Sequence, residues 1–391
     1  MPNAPAENDH NASSSLGIYV HIPFCQRKCR YCDFYSITDT RLIPEYLDAL
    51  KHEMELATQP GMKADTLYIG GGTPSLLDYK QIGQIVDWAA QYFNLDATAE
   101  MTLEINPATT TARDLRDYAG FGFNRLNIGV QSFNDANLKF LSRAHTADQA
   151  LAAVEAAAKS GFNNIGLDLI YGLPEQNPGS WKQDLLQAMR LGPKHLSCYI
   201  LSYEPHTPLH DDLQAGRIVP LSDLRTADLF RMAHDFLGVA GYEHYEISNF
   251  ARGSRWRSRH NQKYWNFAPY IGLGPSAHSC QLPRRWWNHR GYPDYLADLQ
   301  QGRLPLSEDE HLDGEQLLIE ALYLGLRQAD GIALDAFEQR HQIDFKLYFH
   351  TALDRFQAEG WIEMDPDRCR LTVEGMLFLD RIVDELVEMI D

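Results

Sequence analysis

From Gly17 to Ile247 the chain alternates short runs of apolar and β-branched residues with longer amphipathic stretches. No other feature restricts the fold as strongly. The strand-like runs are GIYVHI (17–22), TLYIG (66–70), MTLEI (101–105), RLNIGV (125–130), IGLDLI (165–170), LSCYIL (196–201) and HYEI (244–247). Segments with helical spacing separate them, at 44–58, 76–92, 111–119, 147–160, 179–190 and 223–239. Repeated strand-then-helix units demand parallel strands joined by right-handed crossovers. Six or seven such units predict an α/β fold, a full or partial (β/α) barrel with its chemistry at the carboxyl ends of the strands. An open doubly wound sheet satisfies the same periodicity and stands as the alternative.

The rest of the 391 residues organises around this repeat. Residues 1–16, MPNAPAENDHNASSSL, are polar and read as a disordered leader, without the basic start and apolar stretch of a signal peptide. The barrel is expected over 17–248, and a connecting segment rich in Trp, Arg, Gly and Pro over 249–306. From 307 to 391, helical patterns (314–328, 334–341, 345–358) lead to WIEM (361–364), a turn and RLTVEG, a sequence expected to form a small winged-helix-like unit. Such units often bind DNA. Here the acidic stretch suits an accessory or docking role better. A net charge of −18 argues against general binding to nucleic acid or to a membrane surface. No apolar run approaches the roughly 20 residues needed to cross a bilayer. Six cysteines without a secretory signal point to a reducing compartment, the cytoplasm, and to thiolate ligands rather than disulfides.

Cys25, Cys29 and Cys32 supply those thiolates. They stand in a C-x₃-C-x₂-C spacing directly after the first strand, half of all the cysteines within eight residues. Thiolates are the soft ligands of iron–sulfur clusters and of zinc. Three ligands on a four-iron cluster leave one iron open to a small chelating molecule. Zinc is the competing reading, with His21 completing a His–Cys₃ set, although closed zinc sites usually draw ligand pairs from two separated knuckles. Flanking Arg27, Lys28 and Arg30 mark a solvated loop and are expected to favour thiolate formation. Gly70-Gly71-Gly72-Thr73 follows the second strand, where missing side chains let backbone approach a ligand. Glu104, Gln131, Arg143 and Asp168 fall at or after successive strand ends, a mix suited to a ligand carrying an ammonium, a carboxylate and a ribose diol.

The string YVHIPFCQRKCRYCDF resembles the oxygen-independent coproporphyrinogen dehydrogenase family of radical S-adenosylmethionine (SAM) proteins, and within it the HemW-type heme chaperone branch. The resemblance continues through YIGGGTPSLL (68–77), LEINP (103–107), RLNIGVQSF (125–133), RAH (143–145), DLIYGLP (168–174) and HNQKYW (260–265). It implies a radical SAM barrel with a [4Fe–4S] cluster on Cys25, Cys29 and Cys32. It also implies SAM against Gly71, Gly72, Thr73, Glu104, Gln131, Arg143 and Asp168, with Tyr19 touching the cofactor near the cluster.

The stretch Phe250–Pro293 is the second unusual feature. It carries eight basic residues and no acid, four of the seven tryptophans, and His260, His278 and His289. Aromatic faces beside guanidinium groups suit a large planar anion such as a porphyrin with propionates. They suit nucleic-acid bases or plain interdomain packing as well. The resemblance favours the porphyrin and makes His260, at the edge of HNQKYW, the candidate heme ligand, with His278 and His244 behind it.

Two departures separate this chain from the dehydrogenase branch. That branch has a further cysteine two positions after the triplet, where Phe34 stands here, and a long N-terminal extension, where eighteen residues precede Tyr19 here. The resemblance therefore implies a protein that binds heme and passes it to an acceptor protein, with an electron donor as a further partner. Nucleic acid is not expected, and membrane contact only through the acceptor. The alternatives are an enzyme removing propionate carboxylates from coproporphyrinogen III and, further off, an RNA- or peptide-modifying radical enzyme.

Overall fold

The protein is described here by a computed structural model, which covers residues 15–390. The expected leader falls almost entirely outside them. Six strands, β1 (Leu16–Ile22), β2 (Ala64–Gly71), β3 (Glu100–Ile105), β4 (Arg125–Gln131), β5 (Asn164–Tyr171) and β6 (His195–Ile200), lie side by side in chain order and parallel. The order never reverses, so every crossover winds the same way. That excludes the doubly wound alternative. The sheet does not close on itself, because β1 and β6 each pair outward with other strands, and the result is a partial barrel.

Crossover helices fall where helical spacing predicts them. Ile43–Ala57, Tyr79–Phe93, Ala112–Gly120, Ala147–Lys159, Pro178–Leu191 and Asp223–Val239 match the expected segments within a few residues. Local chemistry sets several starts. Asp78 and Gln81, Thr111 and Asp114, and Thr146 and Gln149 form reciprocal capping boxes that satisfy otherwise orphaned N–H groups. Along each strand the side chains alternate in direction. Ile18, Val20, Leu67, Ile69, Leu103, Leu126, Ile128, Leu167 and Leu169 are fully buried in the core. Their neighbours Tyr19, His21, Tyr68, Glu104, Asn127, Gln131 and Asp168 take the opposite, inward direction. The barrel interior is therefore polar.

HYEI does not become a seventh parallel strand. Only Glu243–His244 pairs (β7), at the sheet's edge and antiparallel to β8 (Asn249–Ala251), itself antiparallel to β6. Glu246 leaves the sheet because it bridges to Gln328, while its buried carboxylate pairs with Arg327 at 2.9 Å.

Beyond β8 the segment expected to connect the barrel to the C-terminal unit, and proposed from its composition as a porphyrin site, builds much of the sheet. β9 (Tyr270–Leu273) runs parallel to β1, and β10 (His278–Gln281), β11 (Arg284–Asn288) and β12 (Leu306–His311) follow as an antiparallel annex. The chain then enters helix Gly314–Arg327 and a small unit. There β13 (Ile332–Ala333), β14 (Ile362–Met364) and β15 (Arg368–Leu371) pair in the order β13-β15-β14, among short helices from Leu334–His341 to Leu379–Val387. This agrees with the expected helices and hairpin. No helix among the described residues is long and apolar enough to cross a membrane.

Candidate functional site

The cysteine loop leaves β1 and is tied down on every side. Phe24 bridges to Ile37, and the Cys25 N–H donates to the Ile37 carbonyl at 2.9 Å. Arg27 donates to the carbonyls of Ser142 and Arg143, Arg30 pairs with Asp212, and Arg290 donates to Asp33 at 3.1 Å. Arg27 and Arg30 therefore act as struts for the loop and do not face the thiols as expected. Two other groups reach the sulfurs. Thr73 Oγ1 donates to Cys25 Sγ at 3.6 Å, and Arg143 Nη1 to Cys29 Sγ at 3.5 Å. Burial pushes the Cys32 thiol up to about 11, against the Phe34 backbone N–H.

His21 is no zinc ligand in this arrangement. Its Nε2 lies 2.9 Å from the Tyr35 carbonyl, which can only accept, so Nε2 carries the proton and Nδ1 accepts from the Tyr19 hydroxyl at 3.0 Å. Burial holds its pKa down to about 4, and the neutral ring fastens the far end of the cysteine loop to β1. Among the described residues no three His, Cys, Asp or Glu side chains converge on a single-ion site.

Beside the loop opens a cleft of about 550 Å³ at the carboxyl ends of β2 to β6. It is lined by Cys32, Gly71, Gly72, Thr73, Glu104, Gln131, Arg143 and Asp168, so most of the residues expected around SAM meet in one place. Tyr19 is absent from this lining. Its hydroxyl is committed to His21, and its ring lies 6.1 Å from that of Tyr68. The glycines serve the protein itself as much as any ligand. Gly71 has φ +104°, and a Cβ on Gly72 would fall 2.7 Å from the Phe24 carbonyl oxygen and 3.1 Å from Cys25 Sγ. Only glycine lets β2 end this close to the cysteine loop.

Glu104 accepts from the Tyr68 hydroxyl at 2.7 Å and from the Gly71 N–H at 3.2 Å. Burial nonetheless pushes its pKa up to about 7, with the nearby Asp168 adding to the rise. Asn127 donates to Asp168 Oδ2 at 2.7 Å, and burial raises this carboxyl too. The other oxygen, Oδ1, is buried without a partner, as is Arg143 Nε. Two carboxyls, one guanidinium with an unused donor and an unused acceptor match a ligand bearing an ammonium, a carboxylate and hydroxyls. The donor set fits SAM, and the adjacent thiols fit a cluster.

Sequence reasoning missed Tyr68, Asn127, Tyr199 and Ile200, all of which line the cleft. Three of them carried a usable signal, since Tyr68, Asn127 and Tyr199 occupy inward positions in the strand alternation. His260 is the expectation the geometry corrects. It is 1% exposed, its backbone N–H donates to Glu100, and its ring nitrogens lie 2.8 Å from Thr66 Oγ1 and 2.9 Å from the Tyr264 hydroxyl. In this conformation neither nitrogen is free for iron. The ring is a strut between β2 and the helix Arg259–Trp265. Six of the segment's eight cations are likewise spoken for: Arg257 by Asp330, Arg259 and Lys263 by Asp65, Arg284 by Asp309, Arg285 by Glu310 and Glu320, and Arg290 by Asp33.

Comparison with known proteins gives this geometry a family. Residues 19–188 match the model of the radical SAM superfamily, and residues 312–378 that of the HemN C-terminal domain. Heme chaperone HemW of Escherichia coli is 39% identical over 394 residues, covering 94% of this chain and 97% of the relative. The chain belongs to the HemW branch of the radical SAM superfamily. HemW of Synechocystis is 36% identical over 88% of this chain and 85% of its own length. Among solved structures, the radical SAM enzyme coproporphyrinogen III oxidase (HemN) of Escherichia coli matches with a TM-score of 0.82 and 25% identity, over 96% of this chain and 90% of that one. Membership in the HemW branch implies a [4Fe–4S] cluster and SAM.

Proposed function

We propose that this protein is a heme chaperone. It holds a [4Fe–4S] cluster on Cys25, Cys29 and Cys32, binds SAM in the adjoining cleft, and passes heme to an acceptor protein in the cytoplasm. The cluster, when present, supplies an open iron site for a chelating ligand. Around it, Glu104 and Asp168 hold positive and hydroxyl groups, Arg143 holds a carboxylate, and the Gly71–Thr73 loop sets the depth of the cleft. The domain reading is 17–248 as the cofactor barrel, 249–306 as the Trp/Arg-rich connecting segment and candidate heme-binding region, and 307–391 as the docking unit, its first residues completing β12 of the sheet.

Phe34 carries the choice between chaperone and enzyme. It stands where the dehydrogenase branch has its further cysteine. It is 65% exposed at the lip of the cleft and offers a large apolar face instead of a thiol. Ile200, 53% exposed, adds a second apolar face to the same lip. An exposed apolar lip suits contact with a macrocycle of either kind, and the absent thiol is what favours the chaperone. The names of the near-full-length relatives support the same reading. The test is to purify the protein anaerobically and offer heme and coproporphyrinogen III in parallel. Retention of about one heme per chain, with coproporphyrinogen unchanged in the presence of SAM and reductant, is the expected result. Turnover of coproporphyrinogen without heme retention would give the oxidase reading instead.

A further inference from the structure

We infer that Asp184, outside the cleft, is a positioning residue: it holds the strained end of β4 that sets the Gln131 amide beside Arg143. The inference rests on the reading of the cleft as the SAM site and names a remote side chain on which binding there depends. Gln131 has φ +67°, a left-handed conformation that residues other than glycine rarely adopt. The Ser132 N–H donates to the Val130 carbonyl at 2.9 Å. Gln131 therefore stands at the centre of a γ-turn with positive φ, the rare and strained form. The ladder slips at the same place. Ile128 pairs with Leu167, yet Leu169 meets Gln131 and not Val130, so β4 carries one extra residue here. Within the cleft, a Cβ on Gly129 would fall 3.0 Å from the Gln131 amide nitrogen and 3.2 Å from Arg143 Nη2. Both donors thus pack over the same glycine, an arrangement suited to a single carboxylate.

Strain of this kind persists only where the surroundings over-determine it. Three groups do so here. Arg143 Nη2 donates to the Gly129 carbonyl at 2.8 Å, and His145 Nε2 to the Val130 carbonyl at 3.0 Å. The third is Asp184, buried on the helix Pro178–Leu191. It grips the two residues directly after Gln131: Oδ1 accepts from the Phe133 N–H and Oδ2 from the Ser132 hydroxyl, both at 2.7 Å. The Ser132 oxygen accepts in turn from the Asn134 N–H at 3.1 Å and the Asn137 amide at 3.0 Å. Those bonds tie the turn to the start of the helix Asp135–Phe140. Asp184 is fixed from its own side by the fully buried Trp181, whose Nε1–H donates to the Leu229 carbonyl at 3.1 Å. Both partners of Asp184 are uncharged, and burial pushes its pKa up to about 6 against their hydrogen bonds. A buried carboxylate without a counter-charge costs free energy that an apolar residue would not. What the carboxylate alone supplies is two acceptors at once, for a backbone N–H and a hydroxyl otherwise unpaired beside the strained turn.

The test is a double-mutant cycle on SAM affinity, measured calorimetrically on cluster-loaded protein. Asp184→Asn keeps the side-chain shape but has one acceptor instead of two, so Ser132 or Phe133 loses its partner. It should bind SAM about tenfold more weakly, with iron content and circular dichroism unchanged. Gln131→Ala should show a similar loss. Because Asp184 acts through Gln131, the double variant should bind within about twofold of Gln131→Ala alone. An Asp184 that merely stabilises the barrel would instead give losses that multiply. Multiplied losses, or Asp184→Asn at wild-type affinity, overturn the assignment and leave the SAM site standing. Should Asp184→Asn fail to fold, Ser132→Ala replaces it in the same cycle, with a loss of about threefold expected alone and none beyond that of Gln131→Ala. A wild type that binds no SAM removes the site and the assignment together.

Discussion

The parallel half-barrel and the antiparallel annex belong to one sheet, yet different forces hold them. β1 to β6 bury one apolar face completely, and their polar inward faces are free to form a cleft. β11 and β12 instead read RRWWN against LSEDEH, joined by partly exposed ion pairs, Arg284 with Asp309 at 2.9 Å and Arg285 with Glu310 at 2.6 Å. A segment that looks like an anion-binding surface by composition is thus largely neutralised by acids that lie 25 residues or more away. Local charge density does not measure free charge. The half-barrel carries the cofactor site, and the annex fastens it.

Several measurements can break this division or sharpen it. The largest effect belongs to the loop after β1. Cys25→Ser, Cys29→Ser or Cys32→Ser should take reconstituted iron from about four per chain to near zero. Cys369→Ser, 1% exposed in the C-terminal unit, should keep its iron. Stoichiometric zinc that resists reconstitution with iron would overturn the cluster assignment. Next is the barrel core: Leu103→Ala, fully buried, should cost about 2–5 kcal/mol in denaturant unfolding. The cleft should respond more modestly. Asp168→Ala should weaken SAM binding by about 1–3 kcal/mol with the cluster intact, and calorimetric affinities equal to wild type would remove Asp168 from the site.

A pH titration tests the neighbouring acid. Burial pushes the Glu104 carboxyl up to about 7, and an ammonium group favours its ionised form. SAM affinity should therefore be highest at about pH 7–8, where the carboxylate is ionised and an α-ammonium of ordinary pKa (about 7.7–8.0) is still largely protonated. It should fall as pH drops below, by up to about tenfold per unit. Glu104→Gln should bind weakly and flatten that slope. An unchanged slope would place the titrating group elsewhere. The smallest effect should come from the annex, where Arg284→Ala is expected to cost less than about 1 kcal/mol. A loss as large as that of Leu103→Ala would show that ion pairs hold the annex as firmly as apolar packing holds the barrel.

Much of the barrel and most of its cleft were legible because both depend on short-range pattern. Alternation along a strand separates Leu103 from Glu104 and Leu167 from Asp168, and strand ends collect Gly71 and Gln131 wherever parallel strands line up, while Arg143 reaches the cleft from the turn after the helix Asp135–Phe140. His260 and His278 resisted such reading. Both are single histidines in one Arg- and Trp-rich stretch. What separates them is that one meets Thr66 and Tyr264 while the other meets Trp287 and solvent.

Sequence alone determined the repeating strand–helix units, the approximate helix limits, the cysteine loop and part of the ring of residues around the cleft. These follow from periodicity, caps and spacing, which act within a few residues of each other. Tertiary structure decided that the sheet stays open, that 270–311 extends it, that HYEI bends away to Arg327, and that six of eight cations are paired. It also chose which histidine is enclosed and which is left free. Each of those outcomes depends on which distant strands become neighbours. That is set by the packing of the whole sheet, a property no local stretch of residues contains.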